Sequence, residues 1–471
     1  MENIMKKGIK LPHPFVILTF VIAVMSILTH FIPAGMYNRV VNDIGVKVVD
    51  PNTFQYIAGS PVTIIQFLTS IPRGFVEAGW IVAMTLFVGS GFAVVQKIGV
   101  IPAMIEGLAR KFKGGSLAIV PILLFVFALI DSFIGTPELM VVYIPIIVPL
   151  MLRLGFDSIT ACAVVICGSA AGFSAALTNP FTIAIGQKLC GLPLYSGWEF
   201  RIGTFVITWL IGCCYVLHYA RKILKNPEKS PMYQDDIVKR NKIIEQASKS
   251  NTDYSLNTRQ KIGGLLALFL FVLMIAGIVL FKWDMPEMCA IFLLIGVGAG
   301  LIAGMNLDDL CQTLMEGCQD MMIGALVIGL SRSISVVMTD GQITDTIVHA
   351  ISIFLVNLPT SIAVIGVLLA VTALNFVIPS GSGKAVVLFT ILAPLADVLH
   401  ISRQTMVLTY QFGDGFTKDL WPTSGYFMAA ISLAGVPWQR WAKFYIPLVC
   451  IWFVSSFVML LVAQAINLGP F

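Results

Sequence analysis

Charge is what this chain has least of. Of 471 residues, 12% are Asp, Glu, Lys or Arg, while 57% are apolar. A water-soluble protein of this length needs far more polar residues to cover its surface, so soluble folds are excluded and no nucleic-acid partner is expected. Ordered cysteine spacing is lacking too. The nine cysteines fit neither a metal site nor a disulfide framework and are read as small packing residues. Intramembrane-protease signatures are missing as well. Gln411 stands where the first glycine of a Gly-x-Gly-Asp motif belongs before Gly413-Asp414, and Ser380-Gly-Ser-Gly383 lacks the leading glycine of the serine type. No enzyme is expected, and a protease remains only a remote alternative.

What the chain does have is apolar runs long enough to cross a hydrocarbon core of about 30 Å. They include 15–31, 76–95, 204–219, 265–281, 288–305 and 444–465. The first follows Lys6, Lys7 and Lys10 as a signal peptide's would, but it is long and Pro33-Ala-Gly-Met is a poor cleavage site, so a retained helix is expected. The expected class is therefore an all-α polytopic membrane protein, seated in a lipid bilayer.

The two halves repeat. Pro149, Leu150, Leu154, Thr160, Gly168 and Thr178 match Pro394, Leu395, Leu399, Thr405, Gly413 and Thr423 at an offset of 245 residues. Ordered Pro, Gly and Thr landmarks at nearly constant spacing mark an internal duplication. The division reads as a first repeat over 1–221, a hydrophilic cytoplasmic linker over 222–260, an additional span over 261–286 and a second repeat over 287–471. Each repeat gives a span, an interfacial stretch, a second span, a re-entrant hairpin and two further spans. Four crossings return the first repeat to its starting face, and the additional span then starts the second from the opposite face. The repeats are thus expected to be inverted. Lysine and arginine crowd one predicted side (Lys97, Arg110, Lys111, Lys113, Arg153 and the linker), which places the N-terminus inside the bacterial cytoplasmic membrane.

Backbone at membrane depth must be hydrogen-bonded internally, so a Gly/Pro-rich break belongs inside protein or beside a wet cavity. Four such breaks occur. Two are the hairpin tips, Gly135-Thr-Pro-Glu138 and Pro379-Ser-Gly-Ser-Gly-Lys384; two are broken helices at 172–180 and 413–425. Freed carbonyls favour cations and half-helix N-termini favour anionic groups. The candidate substrate-binding residues are Thr136, Thr178, Asn179, Ser380, Ser382, Lys384, Asp414, Thr423 and Ser424. A coupling-ion or charge network is expected from Asp131, Glu138, Lys418 and Asp419. Asp414 and Lys418, four apart, suit mutual neutralisation equally well. Lys384 suits a substrate carboxylate, the place of a coupling cation, or a helix cap. Arg332, within an apolar span, is expected to pair with Asp320 or Asp340, because a charge near the membrane centre costs about 2.5–3.5 kcal/mol.

Pro379-Ser-Gly-Ser-Gly383, Gln411-Phe-Gly-Asp-Gly-Phe-Thr417, Trp421-Pro-Thr-Ser-Gly425 and the opening Ile32-Pro-Ala-Gly-Met-Tyr37 resemble the YfcC-like family, related to the DcuC-type C4-dicarboxylate anaerobic carriers of the ion transporter superfamily. The resemblance implies a scaffold carrying a mobile transport domain, elevator-type alternating access and a homodimer. It also implies that Thr178-Asn179 and Thr423-Ser424 correspond to the superfamily's Ser-Asn-Thr-type sites, which with the hairpin tips bind substrate carboxylates and sodium. The leading Ser-Asn is absent here, and Lys384 stands where a neutral residue is expected. No cofactor is expected; Na+ and H+ are both open as coupling ions. The function reads as secondary transport of a small carboxylate-bearing solute, foremost an amino acid, with basic arginine/ornithine-type exchange in view. The alternative is a C4-dicarboxylate carrier, which needs Lys384, Lys418 or Arg332 exposed to the site.

Inversion of the repeats makes a direct prediction. A membrane-impermeant maleimide should reach Arg153→Cys only from the cytoplasmic side and Arg403→Cys only from the other. Reaction of both from one face would overturn it.

Overall fold

The computed structural model describes residues 14–41, 47–50, 53–59, 61–103, 107, 117–249, 256–281, 283–356, 360–399 and 401–469. Helices dominate. The first half contains α1 (Pro14–Leu28), α2 (Ile64–Glu77), α3 (Gly79–Lys97), α4 (Ile119–Ile134), α5 (Met140–Arg153), α6 (Ser158–Ala175), α7 (Ile183–Leu189) and α8 (Trp198–Lys225). Next come α9 (Tyr233–Lys249) and α10 (Thr258–Phe281). The second half contains α11 (Met285–Ala303), α12 (Leu307–Asp320), α13 (Met322–Asp340), α14 (Thr344–Val356), α15 (Thr360–Val377), α16 (Gly381–Val398), α17 (Arg403–Gly415), α18 (Gly425–Leu433) and α19 (Trp438–Ala465). The stretch between α1 and α2 adds two antiparallel two-stranded ribbons, β1 (Gly35–Met36) with β4 (Gln55–Tyr56) and β2 (Arg39–Val41) with β3 (Lys47–Val49). Residues 1–13 and 108–116, the latter carrying Arg110, Lys111 and Lys113, lie outside the described residues.

Among the described residues, seven helices are long and apolar enough to cross a membrane: α3, α6, α8, α10, α11, α13 and α19. The sequence predicted nine crossings. The two that fall short are α1, with 15 residues, and α17, which ends after 13 residues where its backbone breaks.

Element lengths recur between halves. α2 and α12 both have 14 residues, α3 and α13 both 19, and α8 and α19 both 28. Packing recurs as well, with partners exchanged. α2 lies on α13 as α12 lies on α3, and α1 lies on α13 as α11 lies on α3. Likewise α4 packs on α6 as α15 packs on α17, and α5 meets α18 as α16 meets α7. Small residues make the close crossings. A Cβ on Gly74 of α2 would stand 2.6 Å from the Gly329 carbonyl and collide with Ser333, while one on Gly317 of α12 would collide with the Gly89 carbonyl and Ser90. Gly74 and Gly317, like Ser90 and Ser333, are 243 positions apart. With lipid as solvent, such close backbone approach replaces the hydrophobic effect as the source of helix association.

The hydrophilic stretch 222–260 is not an open loop over its described residues. Its longest element is α9, 17 residues docked on the ends of other helices. Asp236 accepts from the Ser158 amide at 2.8 Å, an orphan donor in the first turn of α6. Lys239 donates to the Ala434 carbonyl at 2.7 Å, just past α18, and Arg240 donates to the Phe156 carbonyl at 2.8 Å. Composition reported the charges correctly, but these groups satisfy helix ends rather than water. Upstream, the Asp157 side chain caps α6 through the Thr160 amide at 2.8 Å, and Ser230 donates to its other oxygen at 2.6 Å.

Filling the crossings should be costly. Gly74→Leu and Gly317→Leu should each destabilise by at least about 1–3 kcal/mol, the usual range for overpacking, lowering the melting temperature in detergent. Gly203→Leu, where the added Cβ meets nothing, should be neutral.

Candidate functional site

Both hairpins turn where the sequence placed their tips. α4 ends at Gly135, whose left-handed backbone (φ 69°) suits glycine, and its amide donates to the Asp131 carbonyl at 2.9 Å. A single 3-10 turn over Pro137–Leu139 then leads into α5. In the second half α15 stops at Val377 and α16 begins at Gly381, with Ser380 as N-cap accepting from the Gly383 amide at 3.2 Å. The broken helices also fall where expected. α6 ends at Ala175 and resumes as α7; α17 ends at Gly415 and resumes as α18.

The elements converge on a cavity of about 420 Å³. Both tips line it, through Gly135, Thr136 and Glu138 on one side and Ser380, Gly381 and Ser382 on the other. Both breaks contribute too, through Thr182, Lys418 and Thr423. Of the predicted site residues, Thr136, Glu138, Ser380, Ser382, Lys418 and Thr423 therefore face one space. The Thr136, Thr423 and Thr182 hydroxyls lack hydrogen-bond partners among the described residues, so three donors stand free at or beside this wall.

The remaining predicted residues stand behind the wall. Asn179 is fully buried and holds the turn that leads into α7, accepting from the amides of Phe181 (2.9 Å) and Thr182 (3.2 Å). Its side chain fills the space a Cβ on Gly135 would occupy, so the first tip and the first break are keyed together. The Thr178 amide donates to the Ser132 carbonyl at 3.1 Å, another tie between these two elements. Ser424 is 2% exposed and does not line the cavity.

Lys384 corrects the expectation that its ammonium meets a substrate. It is 0% exposed, absent from the cavity wall, and holds Asp414 Oδ1 at 2.5 Å together with Asn375 Oδ1. Lys418 takes the other oxygen of Asp414 at 2.7 Å and lies 4.1 Å from the centre of the Phe173 ring. The neutralising Asp414–Lys418 pair thus forms, with a second lysine added. Asn375 was not foreseen as a site residue, yet it organises this cluster. Its amide nitrogen reaches the Gly413 carbonyl (3.0 Å), the Asp414 carbonyl (3.1 Å) and Thr417 Oγ1 (2.7 Å). The repeat offset carried the signal, because Asn375 is Asp131 shifted by 244.

Three further carboxylates surround the triad. Asp131 is buried, accepts from the Ser169 hydroxyl and leaves Oδ1 without a hydrogen bond among the described residues. Asp419 is also buried with one oxygen unpartnered, while its carbonyl accepts from Trp441 at 2.9 Å. Glu138 is half-buried on the wall. All three lie within electrostatic reach of Lys418. Arg332 also lines the cavity, but its partner is Glu77 at 3.1 Å rather than Asp320 or Asp340, because α2 crosses α13 there. Asp340 belongs instead to Arg73, at 2.5 Å. Glu77 and Asp284, both lining residues, are absent from the predicted set; each lies near a helix end with no sequence mark of the cavity.

A largely apolar cavity with a few convergent polar groups, between two hairpin tips and two broken helices, is an arrangement for binding and releasing a solute. The family model for the C4-dicarboxylate anaerobic carriers, DcuC, matches residues 11–465. The chain belongs to the DcuC family. Among curated relatives, the Escherichia coli K12 protein named "Putative basic amino acid antiporter YfcC" is 30% identical, with 96% of each chain covered. An uncharacterised Haemophilus influenzae protein is 29% identical over 88% of this chain and 81% of its own. The crystal structure of the Alcanivorax borkumensis YdaH transporter aligns with 98% of this chain at 16% identity and a TM-score of 0.41. This DcuC-family chain is thus a multi-pass membrane protein of a transporter family, as the sequence motifs implied.

The triad should be strongly non-additive. Asp414→Asn leaves Lys384 buried without a counter-charge and should cost about 3–5 kcal/mol. Adding Lys384→Met to that variant should restore much of the loss in thermal unfolding, since the orphaned charge goes with it.

Proposed function

We propose that the chain is a secondary transporter that exchanges amino acids, preferring basic ones of the arginine/ornithine type, by alternating access. One observation carries the reading: the site holds more carboxylate than its own cations can balance. Lys384 and Lys418 both engage Asp414, and Arg332 is taken by Glu77. Asp131, Glu138 and Asp419 are left around the site, with Asp284 on the wall. Buried charge must be compensated by a partner or neutralised by a proton. An incoming guanidinium or ammonium supplies that compensation, while the substrate's own carboxylate meets Lys418 and the hydroxyls of Thr136, Ser380, Ser382 and Thr423. A dicarboxylate adds two negative charges to the same excess. It remains the second reading, because Lys418 and Arg332 do line the cavity and the family's description names such substrates.

The movement follows from the exchanged packing. α18 lies along α13, whereas its counterpart α7 makes no comparable packing against α3, and the cavity occupies that side with Trp80, Ile81 and Phe181 on its wall. If the repeats are inverted, the opposite state closes α7 on α3 and frees α18 from α13. α1–α3 and α10–α13 would then be the scaffold, with dimerisation through their free faces. α4–α8 and α15–α19 would be the mobile group, and α9 would travel with it. With the N-terminus inside, the starts of α3 and α11 place this cavity's mouth on the outer side.

In proteoliposomes, excess arginine or ornithine should compete with labelled arginine, and succinate or fumarate should not; the reverse order would establish the dicarboxylate reading. Glu138→Gln should raise the half-saturating arginine concentration roughly tenfold or more, the loss of one charge-assisted hydrogen bond of about 1.5–3 kcal/mol. An unchanged value would remove Glu138 from the site.

A further inference from the structure

The two halves place different groups at equivalent points. Asn375 and Asp414 of the second half correspond to Asp131 and Ser169 of the first, at offsets of 244 and 245. In the first half these two side chains touch directly, and one buried carboxylate oxygen, Asp131 Oδ1, has no hydrogen-bond partner among the described residues. In the second half an ammonium stands between them: Lys384 Nζ contacts both Asn375 Oδ1 and Asp414 Oδ1. The counterpart of Lys384 in the first half is Leu139, also buried, which supplies no charge.

The groups around Nζ are those a small hard cation would choose. An amide oxygen and a carboxylate oxygen face one point. Asn375 cannot easily turn its amide over, because its nitrogen is held by two carbonyls and the Thr417 hydroxyl, and this keeps its oxygen toward that point. Both oxygens sit at chain irregularities, Asn375 near the end of α15 and Asp414 near the break after α17, where freed backbone carbonyls also favour positive charge. Lys384 itself is sealed from the cavity. A charge placed there does not exchange with solution in this state, and it ties the second hairpin to the broken helix permanently.

We propose that the Lys384 ammonium is a built-in cation. It fills the position between the second hairpin and the break after α17 that an exchangeable monovalent ion would otherwise occupy, leaving only the first-half position at Asp131 to take a cation, proton or sodium, from solution. The proposal rests on the site described above but not on which solute that site carries.

Sodium binding to the purified full-length protein tests it without any transport assay, so a wrong substrate assignment leaves the outcome untouched. Radiolabelled sodium binding would be measured at constant ionic strength against choline. Lys384→Ala should bind one sodium ion per chain more than the unaltered protein and gain a sodium-dependent rise in melting temperature. Adding Asp414→Asn should abolish both gains. Lys384→Gln serves if the alanine variant does not fold. In the unaltered protein, one sodium ion lost in Asp131→Asn would assign the first-half position to sodium. No bound sodium, with proton release or uptake altered in Asp131→Asn, would assign it to the proton. Equal sodium binding with and without Lys384, or two sodium ions bound to the unaltered protein, would overturn the proposal.

Discussion

A lysine ammonium sealed from water has few stable arrangements, and the one at Lys384 constrains everything near it. It requires Asp414 at 2.5 Å, which requires α17 to end where it does, and Asn375, which fixes the end of α15. Lys418 then takes the second oxygen of Asp414 and sets its ammonium over the Phe173 ring of the first half. One carboxylate thereby joins the second hairpin, the second break and the opposing repeat. Such a cluster is poor evidence for net stability, because desolvation offsets most of its Coulomb attraction. Its consequence is geometric: any register of these segments that separates the three charges leaves one of them buried alone.

The first half solves the same geometric problem without a lysine. Asn179 fills the hollow under Gly135, Thr178 ties the break to α4, and Asp131 meets Ser169. Shape and neutral hydrogen bonds do there what an ion triad does in the second half. The cavity lies between these two unlike constructions, bordered by hydroxyls and by more acidic than basic groups. That imbalance is the electrostatic feature on which the proposed preference for a basic solute rests.

Much of this was legible in the residues. Composition required a membrane, the constant offset revealed the duplication, and Gly/Pro clusters located both hairpin tips and both broken helices within a few residues of where the chain turns. Those features are local or periodic, so sequence records them directly. Arg332 was misassigned because partners within its own helix neighbourhood were weighed, whereas Glu77 reaches it only through the α2–α13 crossing. Along 222–260 polar composition reports solvation or hydrogen bonding alike, and only the neighbours decided that Asp236, Lys239 and Arg240 bind helix ends.

The sequence by itself determined that the chain crosses the bilayer, that it is built twice over, and where its backbone must break, since each follows from hydrophobic length, spacing or Gly/Pro content along one line. Only the tertiary structure decided which polar groups face the cavity and which lie behind it. Lys384 and Lys418 are four-carbon ammonium chains, one in the first turn of α16 and one in the break after α17, indistinguishable by type. One is sealed beneath the wall and the other stands in it, because burial is set by what packs from the opposing half, and no local pattern encodes that.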